Sequence, residues 1–117
     1  IIDADQPEFL SGSNSAPNSV EYVLHALTSC LTVTLTYHAA VQGIALGAIE
    51  TSAVGDHDAR GFFGISDDVK KGYSNIRVKM HVASQVSVEE LTDLAMHSPV
   101  YEMISKAVPV EFTLVTS

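Results

Sequence analysis

From Tyr22 to Ile49 the chain carries no Asp, Glu, Lys or Arg, and the rest of the molecule is organised around this run. Within Asn18–Gly43, NSVEYVLHALTSCLTVTLTYHAAVQG, the residues Val23, Ala26, Leu27, Cys30, Val33 and Tyr37 recur at three- and four-residue steps. No Gly or Pro interrupts them before Gly43, so the spacing predicts one long helix. Leu31–Thr36 alternates with period two and is rich in β-branched residues, a strand signal inside the helical window. The wider window decides for helix. Asn18 with Glu21 three positions on has the form of a capping box, and Gly43 suits the residue just past the C-terminus.

After the helix the period changes to two. Ile44–Val54 alternates loosely and predicts a strand. Gly55–Ser74 reads as a long loop holding the apolar pair Phe62–Phe63, and loops of that length often border a site. Asn75–Ser84 is the clearest strand, with Ile76, Val78, Met80 and Val82 on one face and Arg77, Lys79 and His81 on the other. Ser87 and Glu90 form a second capping box, opening a helix through His97. Ser98 then caps a short helix, Pro99–Lys106, with proline in its first turn. Val108, Val110, Phe112 and Leu114 alternate along a last strand, Val108–Val115, with Pro109 at its edge or start. Residues 1–17 are an irregular lead-in. This order predicts a single α+β domain over residues 1–117, a small antiparallel sheet packed on one long central helix.

Burial then raises a question of partners. Asn18–Gly43 as a helix is roughly 39 Å long, against roughly 30 Å for the diameter of a small domain. So apolar a rod is not covered by the remaining chain, and a homodimer sharing the helix would cover it. The composition agrees, with 46% hydrophobic and only 17% charged residues. A membrane span is disfavoured by Thr28, Ser29, Thr32, Thr34, Thr36, His25 and His38 within the run and by the absence of a basic flank. A net charge of −8 with six scattered basic residues excludes a nucleic-acid surface and a polybasic membrane anchor. One cysteine excludes an intrachain disulfide and points to a reducing, cytoplasmic compartment. The chain begins at Ile1 without a visible signal peptide, which reads as a fragment or a processed chain.

Cys30 is the first candidate for chemistry. A lone buried cysteine packs as a small hydrophobe, or reacts if a cation, a helix N-terminus or hydrogen-bond donors stabilise its thiolate. The residues alone leave both readings open. His25, His38, His57, His81 and His97 show no metal-binding spacing, and Asp56-His57-Asp58 reads as a solvated turn, so neither a metal nor a cofactor is expected.

These residues resemble a known family. NSVEYVLHALTSCLTVTLTYHA is similar to the central helix of the OsmC/Ohr family, the osmotically inducible and organic hydroperoxide resistance proteins. The likeness continues through GDHDARGFFGISDDVKKGYSNIRVKMHV and HSPVYEMISKAVPVEFTL. The resemblance implies an intertwined α+β homodimer with two long central helices, and an N-terminal group of strands that this sequence lacks. It puts Cys30 at the peroxide-attacking cysteine and Ser98 at the position of the second, resolving cysteine. Val20 falls at the catalytic carboxylate and Glu21 at a neighbouring acidic position, while the activating arginine belongs to the region not present. Disulfide resolution within the chain does not carry over. The implied activity is thiol-dependent reduction of a small-molecule hydroperoxide at Cys30, with Ser98, Glu21 and His97 lining the pocket and an external thiol reductant completing the cycle. The other expectation is a non-catalytic dimer of the same fold that binds a small apolar ligand or is structural.

Overall fold

The computed structural model describes residues 3–10 and 12–117. The lead-in holds one short 3-10 turn, Glu8–Leu10, and is tied together by Asp5. Its carboxylate accepts from the Gln6, Ser13 and Ser15 amides and the Ser15 hydroxyl, which holds Asp5 at a pKa of about 2.

Helix α1 spans Ser19–Val41, close to the predicted limits. The capping box is complete: the Glu21 amide donates to the Asn18 side chain at 2.9 Å, and the Asn18 amide donates to the Glu21 carboxylate at 3.0 Å. Gly43 follows the C-cap Gln42 with φ +72°, the left-handed conformation that glycine adopts without a Cβ penalty.

Strand β1 spans Ile49–His57, beginning later and ending later than the pattern predicts. The expected long loop is therefore shorter, and it contains a one-turn helix, α2, at Ala59–Phe62. The expected Asp56-His57-Asp58 turn is instead the end of β1 followed by the cap of α2: Asp56 pairs with Arg77 at 2.9 Å, the His57 ring donates to the Lys71 carbonyl, and Asp58 caps α2. Strand β2, Tyr73–Val82, alternates as predicted, with Ile76, Val78, Met80 and Val82 buried. Helices α3 (Val88–Ala95) and α4 (Pro99–Ser105) carry the predicted caps Ser87 and Ser98, and β3 spans Val110–Thr116.

The sheet order is β1-β2-β3. β1 and β2 pair antiparallel as expected, but β2 and β3 pair parallel, Ile76 opposite Val110 and Val82 opposite Thr116. The expectation of a purely antiparallel sheet is corrected: α3 and α4 form a crossover that returns the chain to the same end of the sheet, as parallel strands require.

Of the residues whose recurrence predicts α1, Leu27 is buried and Val23, Val33 and Tyr37 are exposed. Leu27, Leu31, Leu35 and Ala39, at four-residue steps, enter one core with β2, Leu91, Leu94, Ala95 and Leu114. Val23, Val33, Tyr37 and Val41 lie on the outside, Val33 64% and Tyr37 59% exposed. Both faces are apolar, so periodicity shows the helix but not which side turns inward. No helix among the described residues is long and apolar enough to cross a membrane.

Candidate functional site

Cys30 lies half-buried near the middle of α1, and the start of α4 is packed against it. Ser98, with 0% exposure, donates its hydroxyl to Cys30 Sγ at 3.0 Å. The same oxygen accepts the Tyr101 N–H at 3.1 Å, so its one proton is committed to the sulfur. The sequence dictates this local geometry. Pro99 has no N–H, the Tyr101 N–H is taken by the Ser98 side chain, and the Glu102 N–H bonds the Ser98 carbonyl. The first-turn amide left over is that of Val100, and it favours the anionic form of the Cys30 sulfur. Thr34, one turn along α1, places Oγ1 3.8 Å from the sulfur.

These contacts act on the thiol in opposite directions. Burial pushes its pKa up, while the Ser98 hydroxyl, the Val100 N–H and the Thr34 hydroxyl all favour the thiolate. The donors together prevail, and the thiol sits below its ordinary value of 9.0. Such a site can hold a sulfur anion, the nucleophilic form of cysteine.

Of the four residues singled out from sequence, the structure brings Cys30 and Ser98 into contact and sets the other two apart. His97 directly precedes Ser98, but its ring turns to the end of α3, with Nδ1 3.0 Å from the Asp93 carbonyl, and it stacks on His38. Glu21 is engaged in the α1 cap, nine residues and roughly 13.5 Å along the axis from Cys30. Two contributors lack a sequence signature of their own. Thr34 was readable only as the i+4 neighbour of Cys30, and the Val100 amide only through the Ser98-Pro99 cap.

A separate cleft of about 110 Å³ lies at the N-terminus of α1, lined by Leu10, Val20, Phe62 and Phe63 with His57 among its polar residues. Tyr73 anchors this end, donating its phenol to the Val20 carbonyl at 2.8 Å. Burial and the nearby Glu21 charge raise the Tyr73 pKa, so the phenol keeps its proton. Among the described residues no group of three or more His, Cys, Asp or Glu side chains is placed to hold a metal.

Comparison with solved structures gives the same fold at low identity. An organic hydroperoxide resistance protein from Elizabethkingia anophelis matches with a TM-score of 0.73 and 16% identity, over 99% of this chain and 81% of that one. An OsmC-like protein from Mycoplasma pneumoniae matches with 0.72 and 13%, over 96% and 77%. The organic hydroperoxide resistance protein OsmC from Legionella pneumophila matches with 0.66 and 19%, over 97% and 80%. Comparison with curated protein sequences gave no match. The sequence profile described as OsmC-like protein matches residues 12–113, most of the chain. The chain belongs to the OsmC-like protein family.

Proposed function

We propose that this chain reduces small organic hydroperoxides through Cys30, using an external thiol as reductant. The observation that carries the reading is the Cys30 sulfur held 3.0 Å from the buried Ser98 hydroxyl, which donates to it. Membership of the OsmC-like family and the hydroperoxide-resistance names of its structural neighbours support it.

The Cys30 thiolate attacks the terminal peroxide oxygen. The O–O bond breaks, the sulfur is oxidised to sulfenic acid, and the alkoxide leaves as the alcohol after taking a proton. The Ser98 hydroxyl donates to the sulfur anion before attack. With one cysteine in the chain, resolution falls to a small thiol. The first equivalent forms a mixed disulfide with loss of water, and the second releases the Cys30 thiol and the reductant's disulfide. The net change is ROOH plus two thiols to ROH, water and one disulfide. This chemistry suits a reducing, cytoplasmic compartment. In the same reading two copies pair through the outer face of α1, where Val23, Val33, Tyr37 and Val41 stand exposed.

The test is consumption of cumene hydroperoxide with a dithiol reductant by wild type and Cys30→Ser. Turnover is expected from the wild type alone, and equal rates would sink the reading. The apolar cleft at Val20, Phe62 and Phe63 favours a second one, a non-catalytic dimer that binds a small apolar ligand. Saturable binding of an apolar fluorescent probe, abolished by Phe62→Ser with no peroxide turnover by wild type, is the result that selects it.

A further inference from the structure

His38 and His97 belong to different elements, α1 and the α3–α4 junction. Their rings face each other with centroids 4.6 Å apart and planes tilted by 35°. His97 Nδ1 lies 3.0 Å from the Asp93 carbonyl and 3.3 Å from the Leu94 carbonyl. Carbonyl oxygens only accept, so Nδ1 carries the proton and the lone pair of the neutral ring sits on Nε2. A ring nitrogen pinned to backbone carbonyls while the other is free is the arrangement that metal-ligating histidines use to fix their tautomer. His97 is exposed and His38 half-buried, which leaves the pair open to solvent. The pair is distinct from the thiol site, since His38 is eight residues and roughly 12 Å along α1 from Cys30.

We propose that His38 and His97 form a two-imidazole site for a borderline divalent transition-metal ion, Zn²⁺ being the representative, with water completing its coordination. Among the described residues no third acidic, cysteine or histidine ligand joins them, so the site is open and exchangeable rather than a closed structural centre. Two nitrogens on one tetrahedral ion, each about 2.0–2.1 Å from it, stand about 3.3 Å apart. The ring centroids, 4.6 Å apart, bring the two imidazoles within reach of one ion. Imidazole donors select Zn²⁺, Cu²⁺ and Ni²⁺ over Mg²⁺ and Ca²⁺. A bound ion links α1 to the segment that carries Ser98.

Isothermal titration of Cys30→Ser with ZnCl₂ tests this without the thiol as a competing ligand. One Zn²⁺ per chain is expected, weakened about tenfold or more by adding His97→Gln or His38→Gln. Binding should be indifferent to Mg²⁺. His97 is exposed, so His97→Gln keeps the test decisive if His38→Gln does not fold. Absence of saturable binding in the millimolar range overturns the proposal. So does binding unchanged by His97→Gln, which would place the ion on another histidine.

Discussion

Ser98 donates to the Cys30 sulfur across 3.0 Å while its oxygen caps α4 through Tyr101, so one buried hydroxyl serves both a helix end and a thiol. In Ser98→Ala, Cys30 loses that donor while burial still opposes the thiolate. The inflection in the pH dependence of Cys30 alkylation by iodoacetamide is expected to move to higher pH, with a slower reaction at neutral pH. The lost cap should cost about 1 kcal/mol of stability in the same variant. An unmoved inflection would show that Ser98 acts on the fold alone.

The contact of Tyr73 with Val20 ties β2 to the first turn of α1. Tyr73→Phe leaves the ring and removes the donor, with an expected loss of about 1 kcal/mol in urea denaturation. The ring also lies over Gly55, where an added Cβ would come within 2.5 Å of it. Gly55→Ala therefore forces the ring or β1 to shift, at an expected cost of about 1–3 kcal/mol. The two changes should be non-additive, because they act on one side chain.

The two faces of α1 should respond in opposite ways. Leu31 is fully buried, so Leu31→Ala should cost about 2–5 kcal/mol through lost contacts and a cavity. Val33 is exposed in the single chain, and Val33→Asp should change the stability of the isolated chain by no more than about 0.5 kcal/mol. In the proposed dimer the same charge would sit in an apolar interface. Sedimentation is expected to show a dimer for wild type and a monomer for Val33→Asp.

Asp5 sets an acid limit for the lead-in. Its pKa falls from 3.8 to about 2, led by the Ser15 hydrogen bonds and that of the Gln6 amide. A depressed carboxyl stabilises the fold above its unfolded pKa and loses that contribution as pH falls through the folded one. Protection of the Ser13 and Ser15 amides in hydrogen exchange is therefore expected to fade between about pH 4 and pH 2. Asp5→Asn should lack this transition.

The sequence carried much of the fold but less of the site. The β2 alternation, the Asn18–Glu21 box and the Ser98-Pro99 cap each rest on neighbours within four residues, and each is present in the structure. The parallel pairing of β3 depends on how α3 and α4 cross the sheet, which no local pattern encodes. Which face of α1 is buried was not legible, because Val23, Val33 and Val41 are apolar like the leucines that fill the core. Ser98 and Cys30 meet across 68 residues of chain, and the third partner, Val100, contributes a backbone group that any residue but proline would supply. Glu21 is near Cys30 in sequence, yet its carboxylate is already used by the helix cap.

The parallel pairing of β2 with β3 also sets an order of events during folding. β1 and β2 can meet soon after collapse, whereas β3 must wait until α3 and α4 have crossed the sheet, and distant pairings of this kind form slowly. Ser98 rides on that crossover. A chain that has formed α1 and the first strand pair therefore still presents Cys30 as an ordinary thiol, and its tuned nucleophilicity arrives only when the topology closes. Pulsed alkylation during refolding should show Cys30 changing its reactivity in the final kinetic phase, which would make this thiol a timer for completion of the fold.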